Sequence, residues 1–358
     1  MAVCAFAQTA GALFEKARAA QVAGRLEEAE SSYRQYLKQY RPTPEVLANL
    51  GALLARRENY SEAIRYYEQA LKLDPSLTPL HLNLGLAHFK QGRPAPAIAE
   101  FDLLLKTDPT NRQAAQLRGM ALLEAERYVE AEQQFRELMP GDLSILLGLS
   151  TALLRQGKSG EARAVLEPVL SRTDSADVQL TLGQALLNDG QINEALAAFE
   201  QARKLNPNLP LLRLNIGAAY WRQRKTEEAL AEWRAEYQAN PNSVESIYTL
   251  GAALALNAAS AAEAERLLRK AVAMRPNNAR ANYQLAKLIW QTSKNREAAV
   301  FLDRATKADG EFREAFILYG TVLQSLGRKP EAAQAFARAK QLSEQEVSRQ
   351  RDLFSESQ

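Results

Sequence analysis

The sequence holds a single cysteine, Cys4, and only two histidines, His81 and His88, in 358 residues. One thiol excludes an internal disulfide framework and any thiolate metal cluster. The two imidazoles sit seven apart on one expected helix with no third ligand near, so no metal site is expected. Branched aliphatics are scarce as well, with 12 Val and 8 Ile against 62 Ala and 53 Leu. That bias removes the residues that favour strands and keeps the best helix formers, so the chain reads as all-α. No apolar run approaches the roughly 18 residues needed for a helix to span a bilayer. Excess charge is missing too: 45 Lys and Arg nearly balance 42 Asp and Glu, for a net +3. Such a balance gives no field that argues for nucleic acid or an anionic membrane surface.

Catalytic motifs are equally thin. Gly157-Lys158-Ser159 has the look of the end of a phosphate-binding loop, but the earlier glycine would fall on Ala152 inside a helix, and no strand precedes it. No nucleophile elbow, dinucleotide fingerprint or Cys/His cluster occurs. The acidic residues Glu62, Glu194, Glu227, Glu228 and Glu331 stand where expected second helices begin, and the helix dipole accounts for them there. The reading is therefore a non-enzyme, with no catalytic residue and no cofactor.

What the chain does have is a repeat. The segment from Val46, "VLANLGALLARRENYSEAIRYYEQALKLDPS", recurs from His81 and again from Leu212. Its skeleton is a glycine, an alanine twelve residues on, an aromatic four later and a proline another eight on. The alanines are Ala29, Ala63, Ala97, Ala131, Ala162, Ala195, Ala229, Ala264, Ala298 and Ala332, spaced 34, 34, 34, 31, 33, 34, 35, 34 and 34. Ten units follow. The glycine is Gly51, Gly85, Gly119, Gly183, Gly217, Gly251 and Gly320, replaced by the small residues Ala17, Ser150 and Ala286 in the first, fifth and ninth units. The aromatic is Tyr33, Tyr67, Phe101, Phe135, Phe199, Trp233 and Phe336, with Leu166, Leu268 and Leu302 elsewhere. Small residues let two antiparallel helices approach, with Gly and Ala expected to face each other, and Asp-Pro or Asn-Pro, as in Asp74-Pro75, ends the second helix. Met139-Pro140-Gly141-Asp142 and the short 31-residue step predict a shortened second helix in the fourth unit. The extra residue in "LNAASAAEAE" predicts a longer turn in the eighth.

This pattern resembles the tetratricopeptide repeat (TPR), a helix-turn-helix unit of about 34 residues, over residues 10–343. The resemblance implies an α-solenoid, a right-handed superhelix of antiparallel helix pairs whose inner groove is lined by the first helices. It also implies a non-catalytic scaffold that holds an extended protein or peptide segment. The alternative is a structural assembly subunit, of a cell-envelope complex for example, that binds folded partners on its outer or edge surfaces. Nothing in the sequence sets an oligomeric state.

With the glycine as position eight, position six is expected to face the groove. It is Asn49, Asn83, Leu117, Gly148, Thr181, Asn215, Thr249 and Gln284 from the second to the ninth unit. This resembles the asparagine ladder in the TPR arm of O-linked N-acetylglucosamine transferase, broken in the fourth and fifth units. An amide offers both donor and acceptor to a peptide bond. Phe89, Trp221, Tyr248, Tyr283 and Trp290 add an aromatic lining, so these five and the six polar residues form the candidate peptide groove. The two-carboxylate clamp of chaperone-binding TPRs is absent.

At the start, Ala5-Phe6-Ala7 before Gln8 has the small-x-small form of a signal peptidase site, which favours an exported or periplasmic protein. The basic region and long apolar stretch of a full signal are missing, and the other reading is an apolar lead-in to the first helix of a cytoplasmic protein. The organisation expected is thus a segment 1–9, ten units over 10–343, and a capping helix and tail over 344–358.

Overall fold

The computed structural model describes residues 2–170 and 173–356, with side chains from 10 to 170 and from 173 to 347. Cys4 and the Ala5-Phe6-Ala7 motif lie outside the described side chains. Two compact units divide the chain, residues 1–205 and 206–358. In the first, six helix pairs follow one another: α1 (Ala2–Val22), α2 (Leu26–Gln39), α3 (Pro44–Arg56), α4 (Tyr60–Leu73), α5 (Leu80–Lys90), α6 (Pro94–Thr107), α7 (Arg112–Glu124), α8 (Tyr128–Glu137), α9 (Leu143–Arg155), α10 (Ser159–Leu170), α11 (Ala176–Asn188) and α12 (Ile192–Leu205). The second has α13 (Leu212–Arg222), α14 (Thr226–Ala239), α15 (Val244–Leu254), α16 (Ala261–Met274), α17 (Ala279–Gln291), α18 (Asn295–Ala308), α19 (Arg313–Ser325) and α20 (Lys329–Glu356), with a 3₁₀ turn at Ala258–Ser260. Odd-numbered helices are the first of each pair. No strand occurs among the described residues.

Six of the pairs close on a glycine whose nearest partner is the ring of the second helix rather than the alanine. A Cβ placed on Gly51 would stand 2.6 Å from Tyr67 Cε1, and one on Gly85 would stand 2.6 Å from Phe101 Cε1. The rings of Phe135, Phe199, Trp233 and Phe336 lie the same way over Gly119, Gly183, Gly217 and Gly320. Only a residue without Cβ admits so close an approach. Where the ring is replaced by Leu166 or Leu302, the glycine gives way to Ser150 or Ala286, whereas the eighth unit keeps Gly251 against Leu268, 3.2 Å from a Cβ placed there. The repeat alanines are buried independently of this contact, Ala29, Ala63, Ala97 and Ala131 completely.

The turn inside each pair has its own rule. One residue takes left-handed φ, and it is glycine at Gly24, Gly92, Gly157, Gly190 and Gly327 but Glu58, Glu126, Arg224 and Ser293 in other units. The eighth unit replaces this turn with the 3₁₀ segment, the longer connection expected from its extra residue.

α8 is indeed short, 10 residues against 14 in α4 and α6. Its exposed carbonyl end is met by Arg112 of α7, whose Nη2 donates to Leu138 O at 2.8 Å and Pro140 O at 3.3 Å. A helix that stops early leaves carbonyls without intrahelical partners, and a guanidinium can satisfy two of them.

At the other end, the expected boundary near Ser343 is not a break. α20 runs unbroken through 28 residues, because no Gly or Pro follows Pro330 to stop it. The 344–356 segment continues the tenth second helix, and Glu346 ties it to Arg313 of α19 at 3.0 Å.

Within the first unit each odd helix touches the next, from α1 to α11, and in the second α15, α17 and α19 do so. No comparable contact joins successive even helices among the described residues. The first helices therefore form the compressed layer of each unit, and their outward side chains share one surface. Along the second helices a row of ion pairs links neighbouring repeats: Arg34–Glu62 at 2.8 Å, Arg136–Glu161 at 2.6 Å, Arg234–Glu263 at 3.4 Å and Arg269–Glu297 at 2.7 Å. Glu62, which the sequence assigns to the helix dipole alone, thus has a second role.

Candidate functional site

In the first unit the ladder position gives four different outcomes. Asn49 on α3 is half-buried beside the Tyr33 phenol, whose pKa burial pushes up and the Asn49 amide pulls back down. Asn83 on α5 is exposed and makes no hydrogen bond among the described residues. Thr181 on α11 is buried, and its hydroxyl donates to Asp177 O of its own helix at 2.7 Å. That internal bond removes Thr181 as a donor to a ligand. Gly148 faces a ring: a Cβ there would stand 2.5 Å from Phe135 Cζ, so the fifth unit's position six is a packing glycine. Phe89 on α5 is half-buried against the core around Phe101 and Leu122.

In the second unit Asn215 on α13 donates from Nδ2 to Leu211 O at 2.8 Å, leaving its carbonyl and one N–H. Leu211 caps α13 in left-handed conformation, φ 67°. Thr249 on α15 is half-buried and without a hydrogen bond among the described residues. Tyr248 and Gln284, on neighbouring first helices α15 and α17, are brought together. Burial raises the Tyr248 pKa, and the Arg280 charge and the Gln284 amide act against it. Trp221 stacks on Trp233 with centroids 5.5 Å apart, and Tyr283 on Phe312 at 4.9 Å. Trp290 is half-buried on α17. Four aromatics thus stand on three first helices of one unit, each packed on one side and open on the other.

On this helix the sequence points to Tyr283, Gln284 and Trp290 but not to Lys287 and Gln291. These two lie three and seven residues after Gln284, which puts them on the same side of α17. A spacing of three and four residues was the signal available for them.

The histidines belong to packing. His81 Nδ1 is 2.6 Å from Glu100 Oε2, joining α5 to α6. His88 is buried, its Nδ1 has no partner, and burial lowers its pKa. Among the described residues no group of three or more His, Cys, Asp and Glu could hold a metal ion, and no helix is long and apolar enough to cross a membrane.

Comparison with known proteins agrees with this architecture. One tetratricopeptide repeat description matches residues 54–121, 122–187 and 255–316, another matches 14–78, and a TPR repeat description matches 183–223. Human protein O-mannosyl-transferase TMTC3 is 23% identical over 300 residues, 77% of this chain and 33% of that protein. Cellulose synthase 1 operon protein C of Komagataeibacter xylinus is 25% identical over 226 residues, 58% of this chain and 17% of that protein. The chain therefore spans a third or less of the length of these relatives. A tetratricopeptide repeat protein from Parabacteroides merdae superposes with a TM-score of 0.59 at 20% identity, over 68% of this chain and 98% of that one, which is a likeness of fold. A repeat of about 34 residues, a glycine seated under a ring in pair after pair, and matches across most of the length make the chain a member of the tetratricopeptide repeat family.

Proposed function

We propose that the protein is a non-catalytic binding scaffold that holds an extended partner segment against its first-helix surface. The observation that carries this reading is the set Trp221, Tyr248, Tyr283 and Trp290. All four are half-buried, on α13, α15 and α17, beside the hydrogen-bonding groups of Asn215, Thr249 and Gln284. A core residue would be covered on every side, and a solvated surface would not carry four aromatics within one unit. Polar contacts alone do not suffice. A hydrogen bond to a peptide contributes a net ~0.5–1.5 kcal/mol, while association costs about 4–15 kcal/mol. In this unit Asn215 keeps its carbonyl and one N–H beside the Thr249 hydroxyl, and ring burial supplies the remainder. Micromolar binding, about −8 kcal/mol, to segments with spaced apolar residues is expected.

Selection of a displayed peptide library on the full chain, followed by calorimetric titration of the selected peptides, tests this. Asn215→Ala, in the same unit as the four aromatics, weakens all selected peptides alike, by about threefold to tenfold, because it addresses backbone. Trp221→Ala changes which sequences are selected, with circular dichroism confirming that the variant is folded. Unchanged affinity and selection in both variants would refute the groove.

One observation favours the second reading, a structural assembly subunit binding folded partners. Leu103 and Val129 in the first unit and Val300 in the second, all on second helices, are 42%, 68% and 50% exposed. Failure of the groove variants alongside loss of assembly in Val129→Lys would transfer the function to that outer face.

A further inference from the structure

The extra residue of the eighth unit builds something the other units lack. Instead of the left-handed turn, the chain runs from Ala255 to Ser260 through a 3₁₀ segment fixed by Asn257, whose Oδ1 accepts from Ala259 N at 3.0 Å and whose backbone O accepts from Ser260 N at 2.9 Å. This turn stands opposite α17 and encloses with it a cavity of about 430 Å³. Ala255, Leu256 and Ala258 form its apolar wall, and Gln284, Lys287 and Gln291 form the facing one. Its size is within the range of ligand sites, about 300–1,000 Å³, which leaves ample room for a side chain of a bound segment.

Lys287 is the unusual member. It is half-buried and has no ion pair, hydrogen bond or ring contact among the described residues. Three other cations of the same unit are neutralised: Arg269 by Glu265 and Glu297 at 2.7 Å each, Arg275 by Glu245 at 3.0 Å, Arg313 by Glu346 at 3.0 Å. No acidic residue lines the cavity. A charge drawn partly out of water without a counter-charge is a cost that a bound anion would remove. Arg280, two turns earlier and about 10 Å along the axis on the same side of α17, also lacks an ion pair among the described residues.

We propose that this cavity takes the side-chain carboxylate of an Asp or Glu in the bound segment; the proposal rests on the peptide-binding reading above. The carboxylate lies against the Lys287 ammonium, with N–H groups of Gln284 and Gln291 as further donors. A carboxylate is acceptor-only, with about four lone-pair sites on two oxygens, which matches one ammonium and two amides. Its methylenes rest on Ala255, Leu256 and Ala258. A phosphate fits less well, because the cavity has no guanidinium fork to bind it in bidentate fashion.

The test begins with displayed peptide libraries selected in parallel on the full wild-type chain and on full-length Lys287→Met. Asp and Glu at one position are expected in the wild-type selection and absent from the variant, with the apolar spacing kept in both. The strongest acidic peptide is then synthesised with a fluorescein label and an amidated C-terminus. Versions carry Glu, Gln or phosphoserine at that position, and another carries Gln there with a free C-terminal carboxylate. By fluorescence anisotropy, Glu→Gln in the peptide weakens binding to wild type by about tenfold or more, since a hydrogen bond to a charged group is lost. The two peptides bind Lys287→Met alike, and Lys287→Arg restores the preference for Glu. Selection without acidic enrichment, or enrichment that survives in Lys287→Met, overturns the carboxylate site and leaves the groove standing. Tighter binding of the phosphoserine peptide overturns the choice of anion, and equal rescue by the free C-terminus overturns the side-chain assignment. Failure to select any peptide overturns the groove reading and this site with it.

Discussion

Replacing Gly85 by alanine probes the ring-over-glycine contact that recurs in six of the pairs. The new Cβ would stand 2.6, 2.9 and 3.0 Å from three ring carbons of Phe101. Carbon atoms pack best about 3.5–4.0 Å apart, so the shortfall is close to 1 Å at the nearest atom. Phe101 is fully buried in the core with Ala97, Ile98 and Ala115, and it has no free direction in which to swing. Overpacking of this kind costs about 1–3 kcal/mol, toward the upper figure where the neighbour is a rigid ring. Against it, Gly→Ala in a helix interior contributes about 1 kcal/mol. The single variant should lose about 1–2 kcal/mol net. Phe101→Leu alone leaves a void and loses a similar amount. Together they reproduce the arrangement of Ala286 with Leu302, in which the clash is gone and the helix gain remains. A favourable coupling of about 1.5–3 kcal/mol is expected between the two changes. Urea unfolding of all four proteins by circular dichroism measures it, with hydrogen exchange of the α5 and α6 amides as a local readout, because a repeat array need not unfold in two states. Stabilisation by Gly85→Ala, or two effects that add within about 0.5 kcal/mol, would refute the ring-over-glycine account.

Glu132 offers a test by pH. Burial alone would raise its pKa, but Lys158, Arg136 and Gln156 bring it down to about 2, against an ordinary 4.5. Its contribution is therefore present above pH 4.5 and lost as pH falls toward 2, and Glu132→Gln should flatten that acid limb by roughly 2–3 kcal/mol, discounted for half-exposed partners. An acid transition unchanged in the variant counts against the network. Glu58, at φ 60°, holds a conformation that costs a residue with Cβ about 1 kcal/mol, so Glu58→Gly should raise the unfolding midpoint while Gly92→Ala lowers it. Equal melting temperatures for Glu58→Gly and the wild type would contradict this.

The sequence by itself determined the helix pairs, their register and the family, because the contacts of a repeat array run between neighbours and recur at a fixed spacing. The short fourth unit and the long eighth turn were legible for the same reason: a change in the step between Ala131 and Ala162, or between Ala229 and Ala264, is a change in one local connection. The turn glycines at Gly24, Gly92 and Gly157 carried a periodic signal too, interrupted by Glu58 and Glu126, which adopt the same backbone without the glycine that would advertise it. Tertiary structure decided the rest. Asn83, Thr181 and Asn215 occupy equivalent positions in the repeat, yet one amide makes no hydrogen bond among the described residues, one hydroxyl is bound within its helix and one amide is half-used, since a rotamer chooses between ligand and backbone. Gly148 became a packing residue only because a ring from the preceding pair reaches it. The cavity beside Lys287 exists only where an inserted turn and a neighbouring first helix meet, so no single stretch of sequence contains it.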